Sequence, residues 1–376
     1  MSIKRRPTKQ IAVGDVLIGG DAPISVQSMT KTDTRDIKAT VSQIKGLEEA
    51  GCEIVRCAVP DLDAAKALKS IKQKVNIPVV ADIHFHYQLA LESLKSGVDC
   101  LRLNPGNIRD RSKVELIVKE AKQREVPIRI GVNFGSLPPV GKIGLTKGGS
   151  RHKDGVNKLP KEEETGEAYT IVDHMVQTGL WEISILEDLD FDLIKLSLKA
   201  FDVDTTVKAY TRMANLVPYP LHLGITESGK LLSGSVRSSI GIGLLLSQGI
   251  GDTLRVSLAD DPIREVDVGW DILNSLDIRQ NKPTLVACPS CGRADVDVIR
   301  LSNQVEDMLA SLNSTIKVAV MGCEVNGPGE AKDADIGIAA GVGRAIIFRK
   351  GEMVKVVEEN KMLLALKEEI GKFEND

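Results

Sequence analysis

Three cysteines near the C-terminus, Cys288, Cys291 and Cys323, have the type and spacing to hold a metal. The first two form CPSCGR directly after an apolar, β-prone run. The third opens GCEVNGPGEAKDADIGIA directly after another such run. Thiols at two strand ends can be gathered by the loops that follow. Three positioned thiols make a poor disulfide framework and a good metal set. A structural zinc site would be closed by a fourth Cys or His. The stretch after residue 281 offers neither, because His84, His86, His152, His174 and His222 all lie earlier. Three thiols without a nitrogen ligand lean toward a [4Fe–4S] cluster with one distinct iron. That iron could take an oxygen ligand, and Glu330 stands seven positions past Cys323, across the turn Asn326-Gly327-Pro328-Gly329. The plain alternative for Glu330 is an exposed loop carboxylate. Cys52, Cys57 and Cys100 sit among apolar residues and read as buried free thiols.

A second set of residues carries charge where charge is unusual. Arg56 lies late in one β-prone run. Arg102 and Asn104 are two apart in another, and Arg129, Gly131 and Asn133 are spaced by two in a third. Lys195 and Ser197, His222 and Gly224, Arg255 and Ser257, and Asp82 and His84 repeat the same spacing. A spacing of two places residues on one face of a strand. Strand interiors seldom hold charge without a partner. Internal pairing with Asp82 or Glu53 could absorb one or two of these five cations, and a polyanionic ligand would compensate the rest. Arginine suits phosphate through its fork of donors. The set therefore points to a phosphate or diphosphate pocket. Asp82 belongs to its candidate substrate contacts, and Asn326 in the later turn is a further one. Glu227, in GITESG, is a candidate proton donor, with an exposed loop glutamate as the plain reading.

These residues need a scaffold that aims many strand ends at one place. Eight β-prone runs, near 24–29 and at 53–59, 78–84, 99–105, 127–134, 193–199, 220–226 and 253–258, alternate with charge-patterned helical runs. Strict alternation implies a parallel sheet. The count predicts an α/β chain with an N-terminal (β/α)8 TIM-type barrel, whose mouth collects catalytic residues at the C-terminal strand ends. An open doubly wound sheet is the rival, and no GxGxxG follows the first strand to support it as a dinucleotide binder. The glycine- and lysine-rich connection 135–155 reads as a surface loop, or more sharply as a substrate lid. The run 263–280 reads as the last barrel helix. A small C-terminal α+β iron–sulfur domain then follows. The expected boundaries are 1–280 for the substrate-binding barrel and 281–376 for the cluster domain.

Composition agrees with a soluble two-domain chain. Its 376 residues exceed one ordinary core, 42% are hydrophobic, and the net charge is -3. Slight acidity and only 3% aromatics argue against a nucleic-acid partner. The basic start MSIKRRPTKQ leads into no signal-like apolar run, and no membrane-length run follows, so a cytoplasmic protein is expected.

With these residues in view, CPSCGR, GCEVNGPGEAKDADIGIA, VRCAVP, ADIHF, RLNPGNI, RIGVN, KLSLKA, LHLGITE and LRVSL together resemble 4-hydroxy-3-methylbut-2-enyl diphosphate synthase in its short bacterial form. That family makes the penultimate step of non-mevalonate isoprenoid synthesis. The resemblance runs from Val26 to about Ala340. It implies a [4Fe–4S] cluster held by Cys288, Cys291 and Cys323, with Glu330 as the fourth, exchangeable ligand. It implies 2-C-methyl-D-erythritol 2,4-cyclodiphosphate as substrate, which the cationic barrel mouth would hold through Arg56, Arg102, Arg129, Lys195 and Arg255, aided by Asn104, Asn133, His222 and Ser257. Flavodoxin or ferredoxin would donate electrons. The last helix should carry the chain to the bottom of its own barrel, so a homodimer is expected, each cluster domain capping the partner's barrel. Two readings from other classes stand beside this one. One is a phosphate-binding barrel transferase, similar to dihydropteroate synthase, with a structural zinc domain. The other is a non-catalytic cluster carrier or redox sensor.

Overall fold

The computed structural model describes residues 3–108, 110–139, 169–310, 312, 314–323, 329 and 331–373. Contacts divide the chain into two units, Met1–Arg279 and Gln280–Asp376.

The first unit opens with a short antiparallel hairpin, β1 (Ile11–Val13) and β2 (Val16–Ile18). Eight parallel strands follow: β3 (Ser25–Met29), β4 (Ile54–Ala58), β5 (Val79–Asp82), β6 (Cys100–Arg102), β7 (Ile128–Asn133), β8 (Ile194–Lys199), β9 (His222–Leu223) and β10 (Thr253–Leu254). Their order is β8-β7-β6-β5-β4-β3-β10-β9, and a parallel bridge from Leu196 to Leu221 joins the two ends of that row into a ring. All eight sequence-predicted strands form. Their alternation explains the packing. In β7, Ile128, Ile130 and Val132 enter the apolar layer under the helices, and in β8 Ile194, Leu196 and Leu198 do the same. Arg129 and Lys195, one position out of phase, are equally buried and face the other way, into the barrel.

Among the described residues, the α-helices of this unit are α1 (Ile37–Glu49), α2 (Leu62–Lys72), α3 (Tyr87–Lys95), α4 (Arg111–Gln123), α5 (Ile171–Glu187), α6 (Val203–Leu216), α7 (Leu231–Ser247) and α8 (Pro262–Ser275). Aspartates at the strand-to-helix turns set where several begin. Asp36, Asp61, Asp110, Asp202 and Asp261 each accept a backbone N–H from the first turn of the helix they cap. Thr170 and Asp173 form a reciprocal capping box at the start of α5. The hairpin had no counterpart in the sequence reading. Its Ile11, Val13 and Ile18 pack on Ile54, Val80 and Cys100, closing the N-terminal end of the barrel with apolar side chains. The last helix is shorter than expected, ending at Ser275, with Asp277 in left-handed backbone just beyond. Arg279 then donates to Ile24 O and Glu53 and stacks on Trp270, which ties the chain at the N-terminal end of β3 and β4.

Among the described residues, the second unit is one mixed sheet packed with α-helices. Its strands β11 (Thr284–Ala287), β12 (Lys317–Met321), β13 (Ile336–Gly341), β14 (Arg344–Arg349) and β15 (Glu352–Glu358) lie in sequence order. The first two pairings are parallel and the last two antiparallel. Helices α9 (Val298–Leu309) and α10 (Met362–Phe373) bury Val305, Leu309, Leu366 and Ile370 against Val318, Val320, Ile336 and Ile338. Most of the 135–155 connection, and with it the lid reading, lies outside the described residues. Among the described residues no helix is long and apolar enough to cross a membrane.

Candidate active site

The mouth-facing positions of the barrel carry cations around one buried carboxylate. Asp82, at the end of β5, lies 3.7 Å from Arg56 Nε and 3.5 Å from Arg102 Nη1. Burial by itself would raise the Asp82 carboxyl, but Arg56, Arg102 and Arg129 hold it below the usual carboxylate range. Arg102 also shares a hydrogen bond with His84 Nδ1 (2.9 Å) and donates to Gly131 O (3.1 Å). The Asn104 side chain binds both backbone groups of the same residue, donating to Gly131 O at 3.0 Å and accepting Gly131 N–H at 2.9 Å. A Cβ at this position would stand 2.6 Å from Arg102 Nε, so a larger residue would displace that guanidinium from Gly131 O.

The remaining cations are less compensated. Arg129 is 2% exposed and Lys195 0%. Arg129 Nε and Nη1 and Lys195 Nζ have no hydrogen-bond partner among the described residues. Burial, together with the charges of Arg56 and Arg102, pushes the Arg129 guanidinium well below its usual value. Burial likewise pushes Lys195 down to about 8 and Arg56 to about 10. Groups in this state gain from an anion, which restores the charged form that burial disfavours. His222 is fully buried and pushed far below its ordinary value by burial and then by Lys199, so its ring is neutral. Its Nδ1 is bonded to Thr253 Oγ1 at 2.6 Å, while Nε2 has no partner among the described residues.

Arg255 stands apart. Its guanidinium is forked onto Glu265 of α8, at 3.0 to 3.2 Å, and the same carboxylate accepts Leu258 N–H and the Ser28 hydroxyl. The charge on Arg255 is therefore already balanced by the protein. Glu53, the other partner considered from sequence, instead binds Arg279 and Val26 N–H at the far end of the strands. Glu265 has the role expected of Glu53. It gave no local signal, being one acid in an amphipathic helix. Lys199 was also missed, although it continues the Lys195–Ser197 spacing by two more residues. It is 8% exposed and pushed well below its usual value by burial and by Arg129 and Arg255. Asn133 and Ser257 are half-buried, and Glu227 is exposed just past β9 with a φ of 55°.

In the second unit, Cys288 extends β11, its N–H donating to Val320 O of β12 at 2.9 Å. Cys323 lies two residues past the end of β12. The turn that carries Cys291 returns to this strand, with Asp295 N–H donating to Gly322 O at 2.9 Å. The three thiols are thus free and lie on two loops joined backbone to backbone. Hydrogen bonds from Arg293 hold the exposed Cys291 thiol below its ordinary value. Among the described residues, no three His, Cys, Asp or Glu side chains are gathered closely enough to hold a metal. Glu330 and Asn326 lie outside the described residues. Cys52, Cys57 and Cys100 are buried with raised thiol values, as inert core cysteines are.

Comparison with known proteins places both units. The family model described as GcpE TIM-barrel domain matches residues 8–270, and the GcpE protein C-terminal domain matches 284–372. The 4-hydroxy-3-methylbut-2-en-1-yl diphosphate synthase (flavodoxin) of Dehalococcoides mccartyi is 56% identical over 98% of this chain and 99% of that one. The protein of the same name from Thermodesulfovibrio yellowstonii is 53% identical over 98% of this chain and 100% of its own. Among solved structures, dihydropteroate synthase from Stenotrophomonas maltophilia superposes with a TM-score of 0.50 at 12% identity. That match covers 72% of this chain and 98% of the other, a likeness of fold alone.

Proposed function

Because the chain belongs to the GcpE family, we propose that it catalyses the reaction its relatives are named for, with flavodoxin as electron donor. In this reading 2-C-methyl-D-erythritol 2,4-cyclodiphosphate is opened reductively and dehydrated to 4-hydroxy-3-methylbut-2-enyl diphosphate. The observation that carries the reading is the charge balance of the mouth. Arg56, Arg102 and Arg129 act on Asp82, Lys195 and Lys199 are buried on the neighbouring strand, and the donors on Arg129 and Lys195 have no partner among the described residues. A diphosphate supplies the missing charge and acceptors.

The donor set of the second unit fits an iron–sulfur cluster. Cys288, Cys291 and Cys323 are free thiols on adjoining loops, and one of them is already shifted toward thiolate. These three residues would hold a [4Fe–4S] cluster, with Glu330 as the fourth, exchangeable ligand. Bound there, the cluster supplies electrons one at a time and a Lewis-acidic iron. The barrel residues do the rest. Arg102, Arg129 and the lysines grip the diphosphate and stabilise its charge as the ring carbon–oxygen bond breaks. Asn104 and Asn133 orient the substrate, and His222, being neutral, offers a hydrogen bond without adding charge. Asp82 keeps Arg56 and Arg102 in place. Arg255, steadied by Glu265, and Ser257 close the last strand's side of the pocket. Glu227 protonates the hydroxyl that leaves as water. Two electrons and two protons taken up, with one water released, thus balance the conversion.

The shared-site homodimer belongs to the same proposal. The first unit ends at Arg279, held at the N-terminal end of the barrel, and the cluster unit starts at the next residue. Phe85, Phe134 and Phe201 follow mouth strands and are 66%, 50% and 50% exposed, an apolar rim suited to a protein cover. The cover in this reading is the cluster unit of a second copy. Free thiols in the cofactor site suit the reducing cytoplasm. Metal analysis after anaerobic purification tests the assignment. About four irons per chain and turnover of the cyclic diphosphate are expected. Colourless protein holding zinc would overturn it.

A further inference from the structure

Glu182 lies on α5, 2% exposed, behind the strand ends that carry Arg102, Asn104 and Asn133. One carboxylate oxygen accepts Gly106 N–H at 2.6 Å, which fixes the turn Pro105–Asn107 directly after Asn104. The turn sits flat on α5. A Cβ at Gly106 would stand 2.3 Å from the Trp181 ring and 2.7 Å from Glu182 Oε1. A cavity of about 90 Å³ remains beside it, lined by Asn104, Asn107, Asn133, Thr178, Trp181 and Glu182. Buried carboxylates are costly, and this one faces no cation closely enough for an ion pair among the described residues. Its evident use is the backbone it holds.

We propose that Glu182 is a positioning residue for the anion pocket, holding the turn after β6 so that Asn104 and Arg102 keep their grip on Gly131 and present their free donors to the mouth. The chain of contacts is continuous. Glu182 holds Gly106, the turn holds Asn104, and Asn104 and Arg102 both bind Gly131. The groups facing the carboxylate are the Gly106 N–H from the turn, the asparagines 104 and 133 from the strand ends, Thr178 and Trp181 from its own helix, and the charge of Arg102 from β6. Burial pushes the carboxyl up to about 7 against that charge, so a neutral amide is a fair substitute for it.

The inference rests on the mouth being an anion pocket, and inorganic pyrophosphate binding to the full chain tests both separately. Calorimetry on Glu182→Ala should show affinity about tenfold weaker than wild type, the loss of about one hydrogen bond. Glu182→Gln, which keeps an acceptor oxygen, should recover most of it, and a merely structural loss would not be rescued in binding while Tm stays low. Gly106→Ala, which lifts the turn off Trp181 and Glu182 while keeping every ionisable side chain, should weaken binding similarly and serves if Glu182→Ala does not fold. In turnover the defect should appear in KM more than kcat. Wild type binding pyrophosphate, with folded Glu182→Ala or Gly106→Ala within twofold of it, overturns the positioning role alone. Wild type failing to bind pyrophosphate overturns the anion pocket and this inference with it.

Discussion

Asp82→Asn removes the carboxylate that faces the mouth cations and should destabilise the empty barrel while improving its grip on anions. At 3.5 and 3.7 Å, each of its two arginine contacts is worth about 4–5 kcal/mol of gross attraction at an effective dielectric of about 20. Desolvation cancels much of this. Removing one partner of a buried pair still costs about 3–5 kcal/mol, because the surviving charges stay buried. For a unit of this size the fall in Tm should be roughly 6–15 °C. Pyrophosphate should then recover more stability in the variant than in wild type, since no carboxylate repels it; at a hundred times Kd a ligand adds about 2.7 kcal/mol. The pH dependence has a defined sign. A carboxyl held low in the folded state stabilises fully above the unfolded value near 4, and loses that contribution as pH falls toward the folded one. Thermal unfolding with and without pyrophosphate, at pH 7 and across the acid range, is the assay. An unchanged Tm in the variant, or a pyrophosphate shift no larger than in wild type, refutes the reasoning.

Three further outcomes are expected. Pyrophosphate affinity should hold steady up to about pH 7 and fall as pH rises through about 8, where Lys195 loses its charge; titration calorimetry on Lys195→Met should find weaker binding and no such fall. Cys323→Ser should lose most of its iron and sulfide after anaerobic reconstitution, whereas Cys100→Ser, in the barrel wall, should keep them. Co-expression of Cys323→Ser with Arg129→Ala should restore activity in mixed dimers if the site is shared between protomers, each chain alone being nearly inactive; purified mixed dimers without activity would exclude the shared site.

The barrel was legible because its strands alternate so strictly. In β7 and β8 every second residue is apolar and goes under a helix, which leaves Arg129, Lys195 and Ser197 no place but the interior. That spacing also extends to Lys199, the last residue of the strand. Partners across the sequence were not legible. Glu265 lies ten residues from Arg255 and Glu53 sits beside Arg56's strand, and nothing local says which acid turns toward the mouth. The β1–β2 hairpin was hidden for another reason: two three-residue strands give too short an alternation to read, and only the unfilled end of a barrel explains them. Glu182 belongs to the same class, since its importance comes from a turn 76 residues away. The cysteine spacing, by contrast, is a local pattern, and it marked both loops without revealing the hydrogen bond that joins them.

The most direct measurement is anaerobic turnover of 2-C-methyl-D-erythritol 2,4-cyclodiphosphate by the reconstituted wild-type chain, with reduced flavodoxin as donor and product identified by mass spectrometry. The account predicts one 4-hydroxy-3-methylbut-2-enyl diphosphate formed for every two electrons consumed, and almost none from Cys323→Ser or Arg129→Ala. Unreacted cyclic diphosphate from a fully iron-loaded wild-type enzyme, or product formed equally by the Cys323→Ser chain, would contradict it.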